Sequence, residues 1–164
     1  MNTKKSLFIS LIIMCSFVIS SCAQKIDGKI TASDLGIAPD FTVEKLDGGK
    51  FSLSGELKEK NAVLVFWTTW CPYCVKEIPA VEKLYKEKGG DLAIIGISLQ
   101  ESKTKVAGFV AKKAMTYPIG LDMDGMVADK YGIQTIPSIV AIDKKGKILY
   151  QGSSLDDMLE KTGF

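Results

Sequence analysis

Two periodicities organise the chain. Continuous apolar runs at Ala62–Trp67 and Leu92–Leu99, with the shorter Ser138–Ile142, have strand length and no polar face, which predicts strands buried on both sides. Between them the spacing changes. Cys74, Ile78, Val81, Leu84 and Tyr85 trace one face of a helix ending before Gly89-Gly90, and Val106, Phe109, Val110 and Ala114 trace another. Glu101 lies near the start of that second helix, and Lys112 and Lys113 near its end. Phe41-Thr42-Val43 and Phe51-Ser52-Leu53 alternate around Asp47-Gly48-Gly49, a hairpin signal. A second hairpin is predicted from Ser138–Ile142 and Lys147–Tyr150 around Asp143–Gly146. Tyr117–Leu121 predicts a short strand, while Met126–Tyr131 and Leu155–Lys161 predict short helices. Strands alternating with helices, plus two hairpins, give an α/β fold with a mixed sheet.

The N-terminal segment has a different character. Lys4 and Lys5 precede an apolar run from Leu7 to Ile19, the layout of a secretory signal. The run is short of the roughly 20 apolar residues of a spanning helix. Ser20-Ser21-Cys22 ends it with small residues before a cysteine, which resembles a bacterial lipobox with Cys22 as the lipidated first residue. The expected organisation is a lipoprotein signal at 1–21, a tether at 22–38 and one domain at 39–164, exported and anchored to a bacterial membrane. Removal of the signal takes Lys4 and Lys5 and leaves the charges balanced.

Composition narrows the chemistry. The 164 residues carry 21 basic and 19 acidic groups with no basic stripe, so nothing favours nucleic acid. There is no His and no Arg, which removes the usual general base and the commonest metal ligand. With Cys15 in the signal and Cys22 lipidated, only Cys71 and Cys74 remain, three apart. A closed zinc site needs four ligands, and covalent haem needs His where Val75 stands. A redox dithiol remains, at a strand-to-helix junction. There Cys71 is expected to be an exposed, acidic thiol facing the helix's unpaired N–H groups, with Pro72 at the first helical position. Cys74, a turn further in, is expected to be the more buried.

The Trp70-Cys71-Pro72-Tyr73-Cys74 segment between strand and helix, Thr135-Ile136-Pro137 before a strand, and the N-terminal hairpin together resemble the thioredoxin-like superfamily. The match is nearest to its TlpA/ResA-type extracytoplasmic thiol–disulfide oxidoreductases, and Leu92–Met115 resembles their central βα insertion. The resemblance implies Cys71 as attacking thiol, Cys74 as resolving thiol, Pro137 as a cis-proline facing them, and Ile136 and Trp70 as contacts for the client. It also implies disulfide-bearing exported clients, apocytochrome c among them, a membrane electron donor and no small cofactor.

Thioredoxins proper carry a buried Asp six residues before the first cysteine, where this chain has Val65. Glu77 interrupts the apolar helix face one turn after Cys74, and two roles are open to it: proton relay to Cys74, or a solvated partner for Lys83. Pro72-Tyr73 between the cysteines is the glutaredoxin dipeptide, whose couples lie near −200 to −230 mV against about −270 mV for thioredoxin. Two further readings compete with a reductase. Thr68 three residues before Cys71 suits a peroxiredoxin-like peroxidase, which would also want an Arg. A thiolate pair suits a copper-binding lipoprotein. The stretch from Leu121 to Met126, with Asp122 and Asp124, is expected to be a solvated turn.

Overall fold

The computed structural model describes residues 35–164, so the expected signal, Cys22 and most of the tether lie outside it. The elements run β1 (Thr42–Lys45), β2 (Lys50–Ser52), α1 (Leu53–Glu56), β3 (Asn61–Trp67), α2 (Pro72–Lys88), β4 (Leu92–Leu99), α3 (Lys103–Lys113), β5 (Ile119–Asp122), α4 (Met126–Lys130), β6 (Ser138–Ile142), β7 (Ile148–Gly152) and α5 (Leu155–Thr162). Among the described residues one sheet forms, in the order β2-β1-β5-β4-β3-β6-β7. β3, β4 and β5 are parallel, and the other neighbours are antiparallel.

The continuous apolar runs became the central strands because both faces of the sheet are covered. Val63, Val65 and Trp67 alternate onto a face packed by α2, α3 and α5 through Ile78, Val81, Leu84, Val106, Leu155 and Met158. Ala62, Leu64 and Phe66 point to the opposite face, under Leu53, Phe41, Val127 and Tyr131. This is an α/β sandwich around a mixed sheet, as the periodicity implied.

Local chemistry explains where observed boundaries differ from expectation. Leu53 opens a helix instead of ending a strand, because the Ser52 side chain caps the Gly55 N–H. β5 begins after Pro118, which has no N–H to give a ladder. Ala114 ends α3 as a left-handed cap at φ 51° rather than extending its apolar face.

The segment around Asp122 corrects the sequence reading most plainly. Asp122 is buried, and its two carboxylate oxygens accept from the Val127 and Ala128 N–H groups, so it ties the end of β5 to the start of α4. Burial raises its pKa, with opposing hydrogen bonds from those N–H groups. Within the Leu121–Met126 stretch Met123, Asp124 and Met126 are solvated, while Leu121, Asp122 and Gly125 are buried.

Candidate active site

The three parallel strands β5, β4 and β3 point to one end of the sheet, and the loop leaving β3 carries the dithiol. β3 ends at Trp67, Thr68 and Thr69 turn the chain, and Cys71 caps α2. α2 forms here because Pro72 occupies a first turn where its missing N–H costs nothing. Lys86 and Lys88 suit the negative end of the helix, and the Cys74, Ile78, Val81 and Leu84 face is buried.

Cys71 and Cys74 are joined by a disulfide, with 5.3 Å between their Cα atoms. The Cys71 sulfur accepts a hydrogen bond from the Cys74 N–H at 3.1 Å. It also lies 3.8 Å from the Ile136 carbonyl oxygen, so β6's approach loop reaches the dithiol from the other side. The Ile136–Pro137 peptide is cis. The topology thus brings together Cys71, Cys74, Ile136 and Pro137, from segments 65 positions apart.

The expected exposure of Cys71 is corrected. Cys71 and Cys74 are 3% and 4% exposed, so neither is the more accessible. The cause is that Cys71 folds its sulfur back over the helix N-terminus and beside Ile136. The exposed groups are its neighbours, Trp70 at 67% and Tyr73 at 69%. Lys76 sits over the Tyr73 ring, 5.4 Å from its centre. Trp67 is core, and both its Nε1 and the Thr68 hydroxyl are buried without a hydrogen-bond partner among the described residues.

Glu77 is half-buried, three residues after Cys74, and forms no ion pair among the described residues, with Lys83 or any other lysine. Its charge is felt at Tyr150, whose phenol is pushed up by burial first, then by Asp157 and Glu77. Val65 is buried where a thioredoxin Asp would stand.

The most connected polar group nearby is one whose place at a helix start gave no sign of this role. Glu101 is buried at the end of β4 and accepts from both the N–H and the hydroxyl of Thr69, each at 2.7 Å. Burial works against its ionisation, but hydrogen bonds from Lys105 and Thr69 outweigh it and hold the carboxyl below the ordinary range. Its sequence signal, a Glu between a strand and a Ser-capped helix, looked only like a favourable charge at a helix start.

Among the described residues no cluster of His, Cys, Asp or Glu is arranged to hold a metal ion. No helix there is long and apolar enough to cross a membrane.

A family model described as redoxin matches residues 32–158. The chain belongs to the redoxin family. It is 32% identical over 154 residues to the thiol–disulfide oxidoreductase ResA of Bacillus subtilis (strain 168), a match covering 91% of this chain and 86% of the relative. The thioredoxin domain of a thiol–disulfide oxidoreductase from Bacteroides vulgatus superposes with a TM-score of 0.68 at 27% identity, covering 77% of this chain and 93% of that one. A secreted Mycobacterium tuberculosis disulfide oxidoreductase does so with a TM-score of 0.63 at 26% identity, covering 75% and 94%. This redoxin is a thiol–disulfide oxidoreductase of the ResA type, and Cys71–Cys74 is its CxxC pair.

Proposed function

We propose that the protein, tethered to a membrane through a lipid on Cys22, reduces disulfides in exported client proteins. The observation that carries the redox part is the placement of the Cys71 sulfur on the N-terminus of α2, one hydrogen bond from Cys74 and beside the Ile136 carbonyl. A helix N-terminus stabilises negative charge, so the reduced Cys71 reacts as a thiolate. That thiolate attacks one sulfur of a client disulfide, forming a mixed disulfide and expelling the other client sulfur as a thiolate that takes up a proton. Cys74 then gives its proton to Glu77 and attacks the Cys71 sulfur. The Cys71–Cys74 bond forms, the bond to the client breaks, and the second client thiol is released. Two electrons have moved from the dithiol to the client, and a membrane dithiol donor returns them.

Ile136 offers backbone hydrogen bonds to the client strand and Pro137 shapes its seat, while exposed Trp70 supplies apolar contact. The lipid anchor is supported by the Leu7–Ile19 run ending in Ser20-Ser21-Cys22. Export is supported by that same segment and by the likeness to a disulfide oxidoreductase described as secreted. Reduced apocytochrome c thiols are one product this chemistry would give.

The test is to express Cys74→Ala with its N-terminal segment intact and isolate proteins captured on Cys71. A defined exported protein, released by dithiothreitol and recovered from membranes, is the expected result. Absence of any adduct, or recovery of the protein from the soluble cytoplasm, would sink the respective part of the proposal.

A further inference from the structure

The Thr68–Trp70 loop that delivers Cys71 to its helix has little of its own to hold it. Its internal bond is one backbone contact, Cys71 N–H to the Thr68 carbonyl at 3.4 Å. Trp70 is in solvent, and the Thr68 hydroxyl has no partner among the described residues. Thr69 is different. Its N–H donates to Glu101 Oε2 and its hydroxyl to Glu101 Oε1, both at 2.7 Å, across 32 positions of sequence.

Glu101 is in turn fixed from its own side. Its side chain is 3% exposed, the Lys105 ammonium is 2.7 Å from Oε1, and the Ser98 hydroxyl is 3.5 Å from Oε2. A buried carboxylate with its lone pairs occupied is rigid, and hydrogen bonds to an ionised acceptor are about twice as strong as neutral ones. Lys105 keeps a net negative charge from sitting under a loop whose function is to carry a thiolate.

We propose that Glu101 is a positioning residue for thiol–disulfide exchange: by clamping Thr69 to the end of β4 it holds Cys71 within reach of Cys74. In the oxidised protein the disulfide itself fixes the loop. Once that bond opens, the clamp is the side-chain tie that keeps the two sulfurs at a high effective concentration, on which ring closure depends. The proposal rests on the exchange chemistry above, not on the identity or location of the client.

The experiment uses the purified protein with glutathione as the probe. Reduction potential is measured by equilibration with the glutathione couple, and resolution by Cys74 is timed from a preformed Cys71–glutathione mixed disulfide. In Glu101→Ala, ring closure is expected to weaken about tenfold, a potential about 30 mV less negative, and resolution to slow about tenfold. Glu101→Gln keeps the clamp, because its oxygen accepts from the Thr69 N–H while its amide donates to the Thr69 hydroxyl oxygen. It should stay within threefold of wild type. Thr69→Val removes one bond only and is expected to lose about threefold, which preserves the test should Glu101→Ala fail to fold. Wild-type potential and resolution in Thr69→Val, or in a folded Glu101→Ala whose Tm alone has dropped, would overturn the proposal. So would a Glu101→Gln as impaired as the alanine variant. A wild-type protein that does not exchange with glutathione at all would instead remove the exchange mechanism on which the proposal stands.

Discussion

The Cys74 backbone N–H donates to the Cys71 sulfur across 3.1 Å, so the helix N-terminus favours charge on one of the two cysteines. In the reduced protein Cys71 should therefore alkylate roughly tenfold faster than Cys74 at neutral pH. Timed iodoacetamide labelling with peptide mass spectrometry reads this directly, and equal rates would contradict it.

Trp70 and Tyr73 lie within two residues of Cys71 and stand 67% and 69% exposed. Aromatic groups of this kind dominate protein contacts. The Trp70→Ala, Tyr73→Ala double variant is expected to lose roughly tenfold in kcat/KM on a protein disulfide. On a small aromatic disulfide reagent it should stay within twofold of wild type. Parallel losses would show that the pair serves the dithiol rather than the client.

Stability should depend on acid through Glu101. Its folded pKa lies below the ordinary value of 4.5, so the folded state binds its proton more weakly than the unfolded one. The contribution is present above 4.5 and disappears as pH falls through the folded value. Urea titrations of wild type and Glu101→Gln should therefore differ at pH 7, with the gap narrowing as pH falls below 4.5. A constant gap across that range would refute the ionised clamp.

Asp122 holds two helix N–H groups that no other acceptor reaches among the described residues. Asp122→Ala is expected to cost about 2 kcal/mol, since each orphaned buried donor costs about 1–3 kcal/mol and water enters part of the gap. Asn at this position should recover about half. Equilibrium urea unfolding gives both values.

Gly96 leaves the space into which Trp67 and Tyr117 pack. A Cβ there would lie 2.9 Å from a Tyr117 ring carbon and 3.0 Å from Trp67 Nε1. Gly96→Ala should destabilise the fold by about 1–3 kcal/mol, the usual cost of overfilling a core. A Tm equal to wild type would mean that both rings move aside.

The elements that were legible in the sequence are those whose burial is uniform. β4 and β6 have the bounds expected of Leu92–Leu99 and Ser138–Ile142, because a run buried on both faces has no register to mistake. The dithiol was legible because a CxxC spacing is local. Glu101 and Asp122 were not. Glu101's main partner is 32 positions back, on the loop after a neighbouring strand, and only sheet topology brings the two together. Asp122 binds N–H groups five and six residues ahead, a contact that exists only once α4 has formed. The burial of Cys71 escaped notice for a similar reason, since Ile136 reaches it from 65 positions away.

The Gly36–Ala38 segment is stitched to the β6–β7 turn, with Ala38 N–H on the Gly146 carbonyl and Ile148 N–H on that of Gly36. That turn lies beyond Ile142, at the opposite end of β6 from Pro137, about 17 Å away at the usual rise per residue. The domain is thus gripped by its heel. The chain joins the sheet at the end away from the sulfurs, and the tether proposed through Cys22 would leave their pole free.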